Sequence, residues 1–130
     1  MNKLKEAFRR RFPDVSDVGM VISPLRICPL GAHVDHQHGL VTGMALNAAV
    51  YLAYAPADNG YIRVQSLDFP DEEYFDLNTV PGMVPGFWGN YLRGAVLSLK
   101  QHYVLKRGIN AIVSGKLPIG GLSSSAAVTT

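Results

Sequence analysis

Cys28 is the only cysteine among 130 residues, so no disulfide can form within the chain. A chain so poor in thiols fits a reducing compartment, and the protein is expected in the cytoplasm. An excess of one charge is missing as well: 12 Lys and Arg stand against 10 Asp and Glu, a formal net charge of +2. So slight a balance gives no electrostatic ground for nucleic acid or a membrane surface, and neither is expected as a partner. No stretch reaches the ~18 consecutive apolar residues of a membrane helix. The basic opening, Lys3 to Arg11, is not followed by an apolar run, so it does not read as a signal peptide. Internal repeats and low-complexity tracts are absent. What remains is 48% hydrophobic, 9% aromatic and 17% charged, the composition of about one globular domain.

Leu4, Phe8 and Phe12 recur at i, i+4 and i+8 among charged residues, which predicts a short amphipathic helix closed by Pro13-Asp14. Its arginines read as a solvated face, with an anionic partner as the lesser alternative. Gly19 to Cys28 reads as extended, and Pro24 argues against a fully paired interior strand there. Leu40 to Leu46 and Asn47 to Ala55 are apolar enough for buried strands. Ala57-Asp58-Asn59-Gly60 is a strong turn signal, and Tyr61 to Leu67 alternates beyond it, so a hairpin is predicted. Asp68 to Gly86 is acidic, then rich in Pro and Gly, and reads as loops around a short strand near 74–76. A helix is predicted from about Trp88 to Arg107. Its apolar stripe would be Leu92, Ala95, Val96, Leu99 and Tyr103, with Gly108 at C′. Ile109 to Ser114 reads as a strand. A glycine turn then leads into the start of another helix.

Three features carry chemistry. Gly120-Gly121-Leu122-Ser123-Ser124-Ser125-Ala126 combines close backbone approach with hydroxyls and free N–H groups at a helix N-terminus, a phosphate-binding combination. It is not a Walker A loop, and an ordinary helix cap is the plainer reading. His33-Val34-Asp35-His36-Gln37-His38 offers metal ligands. Only His102 and Cys28 could add to them, too few to fill a zinc shell, so a polar loop competes with a metal site. Arg26, just ahead of this loop, suits phosphate or carboxylate, or a structural ion pair.

Taken together, two segments resemble a known family. Arg26-Ile27-Cys28-Pro29-Leu30-Gly31-Ala32-His33-Val34-Asp35 resembles the first motif of galactokinases, R-V-N-L-I-G-E-H-T-D, and Gly39 fits the glycine that follows it. Pro118 to Ala127 resembles P-x-G-x-G-L-S-S-S-A, the phosphate loop of the GHMP kinase superfamily. Trp88, Asn90, Tyr91 and Gly94 match the W-x-N-Y-x-x-G stretch between them. The resemblance implies a sugar 1-kinase using ATP and Mg²⁺. It would give Arg26 the role of stabilising the transferring phosphoryl and the nucleophile. His33 and Asp35 would hold sugar hydroxyls, with Ala32 beside them. Gly120, Gly121, Leu122, Ser123 and Ser124 would hold the ATP phosphates, and Ser125 the metal.

The implied fold is α+β: a mixed or antiparallel sheet with helices packed on one side, like ribosomal protein S5 domain 2. Residues 1–130 would be an incomplete N-terminal domain, with substrate motif 26–39 and phosphate loop 118–127. Three departures bear on this. The phosphate loop is one residue short between Pro118 and Leu122. The family's third motif and base aspartate have no counterpart up to Thr130, so the chain alone is expected to be inactive and to self-associate through exposed apolar surface. Ala32 replaces the family's glutamate, as in the motif of plant galacturonokinases. A glutamate would meet a C6 carboxylate with like charge, at a cost of roughly 4 kcal/mol at 4 Å and an effective dielectric of 20. Galacturonate is therefore expected as substrate in preference to galactose. The competing classes are a non-catalytic sugar sensor of the same family and a metallohydrolase built on His33, Asp35, His36 and His38.

Overall fold

A computed structural model describes residues 2–31 and 35–115. Helix α1 (Asn2–Arg11) is followed by strand β1 (Gly19–Ile27), a 3₁₀ turn (Asp35–Gln37), β2 (Met44–Ala57), β3 (Tyr61–Ser66), β4 (Glu72–Asp76), helix α2 (Asn90–His102) and β5 (Gly108–Ser114). The five strands form one sheet in the order β1-β2-β5-β3-β4. All neighbours are antiparallel except β3 and β5, which run parallel. The sheet is therefore mixed and the class α+β, as the resemblance implies. Among the described residues no helix is long and apolar enough to cross a membrane.

The turn before Tyr61 forms as its residues dictate. Gly60 takes φ +73°, and the Asn59 side chain accepts the Tyr61 N–H at 3.1 Å. The hairpin expected around it does not form. β5 inserts between β2 and β3, pairing Tyr54 with Ala111 on one side and Val64 with Ala111 on the other. Turn chemistry is local, whereas the pairing partner is decided by burial: a central β5 has both its faces covered.

Those faces take one helix each, rather than both helices sharing a side. Leu4, Phe8 and Phe12 of the N-terminal segment pack on Ala53, Ala55 and Ile112. Val96 and Leu92 of α2 pack on Ile62, Val64, Phe75 and Ala111. Strand alternation separates the sets, since Ile112 and Ala111 point to opposite sides. Leu25, fully buried, joins Val50, Leu46 and Ala48 in a smaller cluster between β1 and β2. Pro24 lies on an edge strand with a register irregularity beside it, which is where a residue without an N–H is tolerated. The apolar run from Leu40 splits: 40–43 are irregular and one 14-residue strand starts at Met44.

α2 ends five residues earlier than its composition predicts. Tyr103 is extended, at φ −134° and ψ 148°, and the expected stripe breaks because Leu99 and Tyr103 face solvent. Residues 103–107 are instead the return to the sheet, along which Leu105 packs on the α2 side of the core. Gly108 is then a strand residue, not a helix cap. A Cβ there would lie 1.9 Å from the Tyr61 carbonyl oxygen and 2.6 Å from the Tyr61 nitrogen. Gly108→Ala should force β5 away from β3 and lower stability by about 2 kcal/mol or more, read by urea denaturation. A loss under 0.5 kcal/mol would show that the β3–β5 seam gives way freely.

Candidate active site

Strands β1, β5 and β3 point the same way, because each step across β2 reverses direction. Their C-terminal ends therefore share one end of the sheet. The β1–β2 ribbon extends past β5: Arg26 pairs with Ala45, while Ser114 pairs with Tyr51. Six residues of strand set Arg26 about 20 Å further along than the end of β5.

Arg26 is exposed, and its aliphatic stem crosses Gly43, where a Cβ would meet the Arg26 Cδ at 3.4 Å. Its guanidinium has no ion pair or hydrogen bond among the described residues. The chain then passes Cys28, whose thiol donates to the Leu30 carbonyl at 3.2 Å, and enters the histidine-rich loop.

That loop is clamped at its neck. The Thr42 hydroxyl accepts the Leu30 N–H at 3.0 Å and donates to the Leu30 carbonyl, which also accepts the Thr42 N–H at 2.9 Å. Gly31, at φ +85°, sits so tightly in the neck that a Cβ would come within 2.4 Å of the Leu40 carbonyl oxygen. Only glycine fits such a crossing. Asp35 opens the 3₁₀ turn inside the loop, and His38 takes φ 57° as the chain leaves it. Ala32 and His33 lie outside the described residues. So do Gly120, Gly121, Leu122, Ser123, Ser124 and Ser125. Among the described residues no three of His, Cys, Asp and Glu come together as a metal site.

A concave surface lies where β3 runs out and α2 begins. It is a cleft of about 520 Å³, walled by Phe69, Phe87, Trp88 and Tyr91 with Pro70 and Met83. Phe69 and Trp88 lie near-parallel with centroids 6.5 Å apart, and Phe87 tilts against Trp88 at 5.8 Å. The indole Nε1 is buried with no acceptor among the described residues. Of the W-x-N-Y-x-x-G residues, Trp88, Asn90 and Tyr91 line the cleft, and Asn90 also has an architectural role. Its side-chain amide binds both the N–H and the carbonyl of Val84, fixing the loop ahead of α2.

Behind this wall, Glu73 of β4 is 2% exposed and forms a double hydrogen bond with Arg93 of α2, at 2.9 and 3.1 Å. Arg93 also donates to the Gly82 carbonyl and lies 5.1 Å from the centre of the Phe87 ring. Gly89 leaves room for the pair, since a Cβ there would collide with the Glu73 carboxylate. Phe69, Phe87 and Met83 were not singled out as site residues by the sequence. They lie in or just after the acidic, then Pro- and Gly-rich stretch 68–86, where the aromatic residues are the signal that could have found them.

Residues 6–56 match the family model described as the galactokinase galactose-binding signature. A galacturonokinase of Arabidopsis thaliana is 36% identical over 98% of the chain and 35% of its own length. A galactokinase of Chloroflexus aggregans is 38% identical over 82% of the chain and 27% of its own. The crystal structure of Lactococcus lactis galactokinase complexed with galactose superposes with a TM-score of 0.88. The two are 29% identical, over 95% of this chain and 33% of that one. The chain belongs to the galactokinase family. It spans about a third of the length of the curated relatives it matches. Those relatives are sugar kinases, and the superposition shows that this chain shares the fold of the galactokinase it matches.

Proposed function

We propose that this galactokinase-family chain is the N-terminal domain, residues 1–130, of an ATP-dependent sugar 1-kinase that prefers galacturonate to galactose. The 36% identity to a galacturonokinase, spanning both motifs, carries the reading. Ala32 in place of a glutamate supports the choice of sugar, because it removes a like charge from the C6 carboxylate.

In this reading the anomeric hydroxyl gives its proton to a general base, the aspartate that the family resemblance implies outside residues 1–130, as its oxygen forms the new bond to the γ-phosphorus, the bond to the β-phosphate oxygen breaks and ADP leaves. Little covalent chemistry falls to the protein, so charge and position do the work. Arg26, whose guanidinium has no partner among the described residues, faces the charge that spreads over the transferring group. His33 and Asp35 hold sugar hydroxyls from a loop whose neck is locked by Thr42. The N–H groups of Gly120, Gly121, Leu122, Ser123 and Ser124 would take the phosphates and Ser125 would hold Mg²⁺, which would supply neutralising charge. The cleft of Phe69, Phe87, Trp88 and Tyr91 suits the flat π face of a purine base. The 130-residue chain by itself is proposed to be inactive.

The test is ATP-dependent phosphorylation of galacturonate and galactose, assayed side by side with the intact gene product. A kcat/KM for galacturonate at least tenfold above that for galactose is the expected result. The reverse preference would make Ala32 a neutral substitution. Binding of either sugar without turnover would move the protein to the sensor class.

A further inference from the structure

Strands β1 and β2 leave their ladder and are joined again beyond it. Ile27 and Met44 are the last pair, and Pro29, which has no N–H to give, follows soon after. At Leu30 the two chains meet once more, and only half of that junction is backbone. The Thr42 N–H donates to the Leu30 carbonyl at 2.9 Å. The return bond, from the Leu30 N–H, ends on the Thr42 hydroxyl at 3.0 Å, and that hydroxyl donates to the same carbonyl at 3.3 Å. A side chain thus completes the exchange of bonds that two backbones make within an antiparallel ladder. Cys28 adds a thiol bond to the Leu30 carbonyl at 3.2 Å, from a weaker kind of donor.

The stretch enclosed by this junction supports Arg26. Gly43 lies between Thr42 and Met44, the last ladder residue, and faces the arginine stem. A Cβ at Gly43 would meet Arg26 Cδ at 3.4 Å and Cγ at 4.0 Å. The guanidinium is exposed and has no partner among the described residues, so no bond at its charged end fixes the side chain. The backbone under its stem is what narrows the rotamers open to it. That backbone is pinned by the ladder at Met44 and by the junction at Thr42.

We propose that Thr42 is a positioning residue for Arg26: by closing the junction at Leu30, its hydroxyl holds Gly43 under the arginine stem. It acts through Arg26 and not on substrate. The inference rests on the kinase reading above, which gives Arg26 its charge-stabilising role, and it assigns a residue outside both motifs.

The experiment uses the intact gene product with Thr42→Val, which keeps the shape and removes the hydroxyl, and Thr42→Ser, which keeps the hydroxyl. Thr42→Val is also combined with Arg26→Ala. Steady-state kcat and the KM values for ATP and galacturonate are read alongside the thermal midpoint. Thr42→Val should lower kcat about fivefold, the scale of one hydrogen bond, with both KM values within about twofold of the parent. Thr42→Ser should keep kcat within about twofold. On the Arg26→Ala background Thr42→Val should cause no further loss, because an absent arginine cannot be misplaced. The same loss on both backgrounds, an unchanged kcat, a serine variant as impaired as valine, or a change confined to the sugar KM would each overturn the assignment. Should Thr42→Val fail to fold, Thr42→Ala replaces it with the same expectation. If neither folds, Thr42 serves the fold and the assignment falls. If the parent protein phosphorylates sugar normally in those cases, the kinase reading stands. A parent that neither binds nor turns over ATP would overturn both.

Discussion

Arg26→Ala is expected to lower kcat of the intact gene product about a thousandfold, the scale of an arginine that stabilises a transferring phosphoryl group. That corresponds to about 4 kcal/mol of transition-state stabilisation. The guanidinium is exposed and has no partner among the described residues, so its removal leaves no buried charge unpaired. The thermal midpoint should therefore stay within about 2 °C of the parent. KM for the sugar should change only a few-fold, since an interaction made mainly in the transition state appears in kcat. Arg26→Lys should restore little, because an ammonium cannot present the planar fork of a guanidinium to two oxygens at once. Steady-state kinetics paired with a melting curve check all three. If Arg26→Ala keeps kcat within tenfold of the parent, the arginine has no part in the chemistry, whatever its place in the motif.

Glu73→Ala should be the most destabilising single change among the described side chains. Glu73 is 2% exposed and its partner Arg93 has a side chain 11% exposed, so neither charge has recourse to water. Removing the carboxylate strands the guanidinium and costs about 3–5 kcal/mol, since one uncompensated buried charge remains. Arg93 would lose two of its three hydrogen-bond acceptor contacts, retaining only the Gly82 carbonyl. A drop in thermal midpoint on the order of 10 °C is expected. Replacing both partners, Glu73→Leu with Arg93→Met, should recover most of the loss, because the desolvation cost of the pair disappears with the pair. A double variant no more stable than Glu73→Ala would show that the pair is needed for shape, in particular for the seat of Phe87 on Arg93. Because Phe87 and Trp88 wall the cleft, the proposed purine site would make the single variant also weaken ATP binding in whatever fraction still folds.

Much of this protein is legible one residue at a time. The 3.6-residue period of Leu4, Phe8 and Phe12 places α1, and all three side chains are buried. The Asn59-Gly60 turn, the edge position of Pro24 and the strand at 109–114 follow from backbone preferences that act over a few residues. The two motifs, by the identity and spacing of their residues, were sufficient to point to the galactokinase family.

Other features have no local cause. That β5 enters between β2 and β3 depends on Ala111 and Ile112 burying opposite faces at once, a gain that appears only when α1 and α2 are both in place. α2 stops at His102 because the chain must return to the sheet, and Gly108 is required by a Tyr61 backbone 47 positions earlier in the sequence. Glu73 reads as one more acid in Asp71-Glu72-Glu73 until β4 pairs with β3 and turns it inward beneath Arg93. Asp68 meets Gly115 only because two parallel strands end together. Local patterning was enough for the apolar face of α1, the turn at Asn59-Gly60, the motifs and the family. Tertiary structure alone decided strand order, the burial of Glu73 and the bond from Asp68, because each depends on contacts between residues far apart in the chain, which local preferences cannot encode.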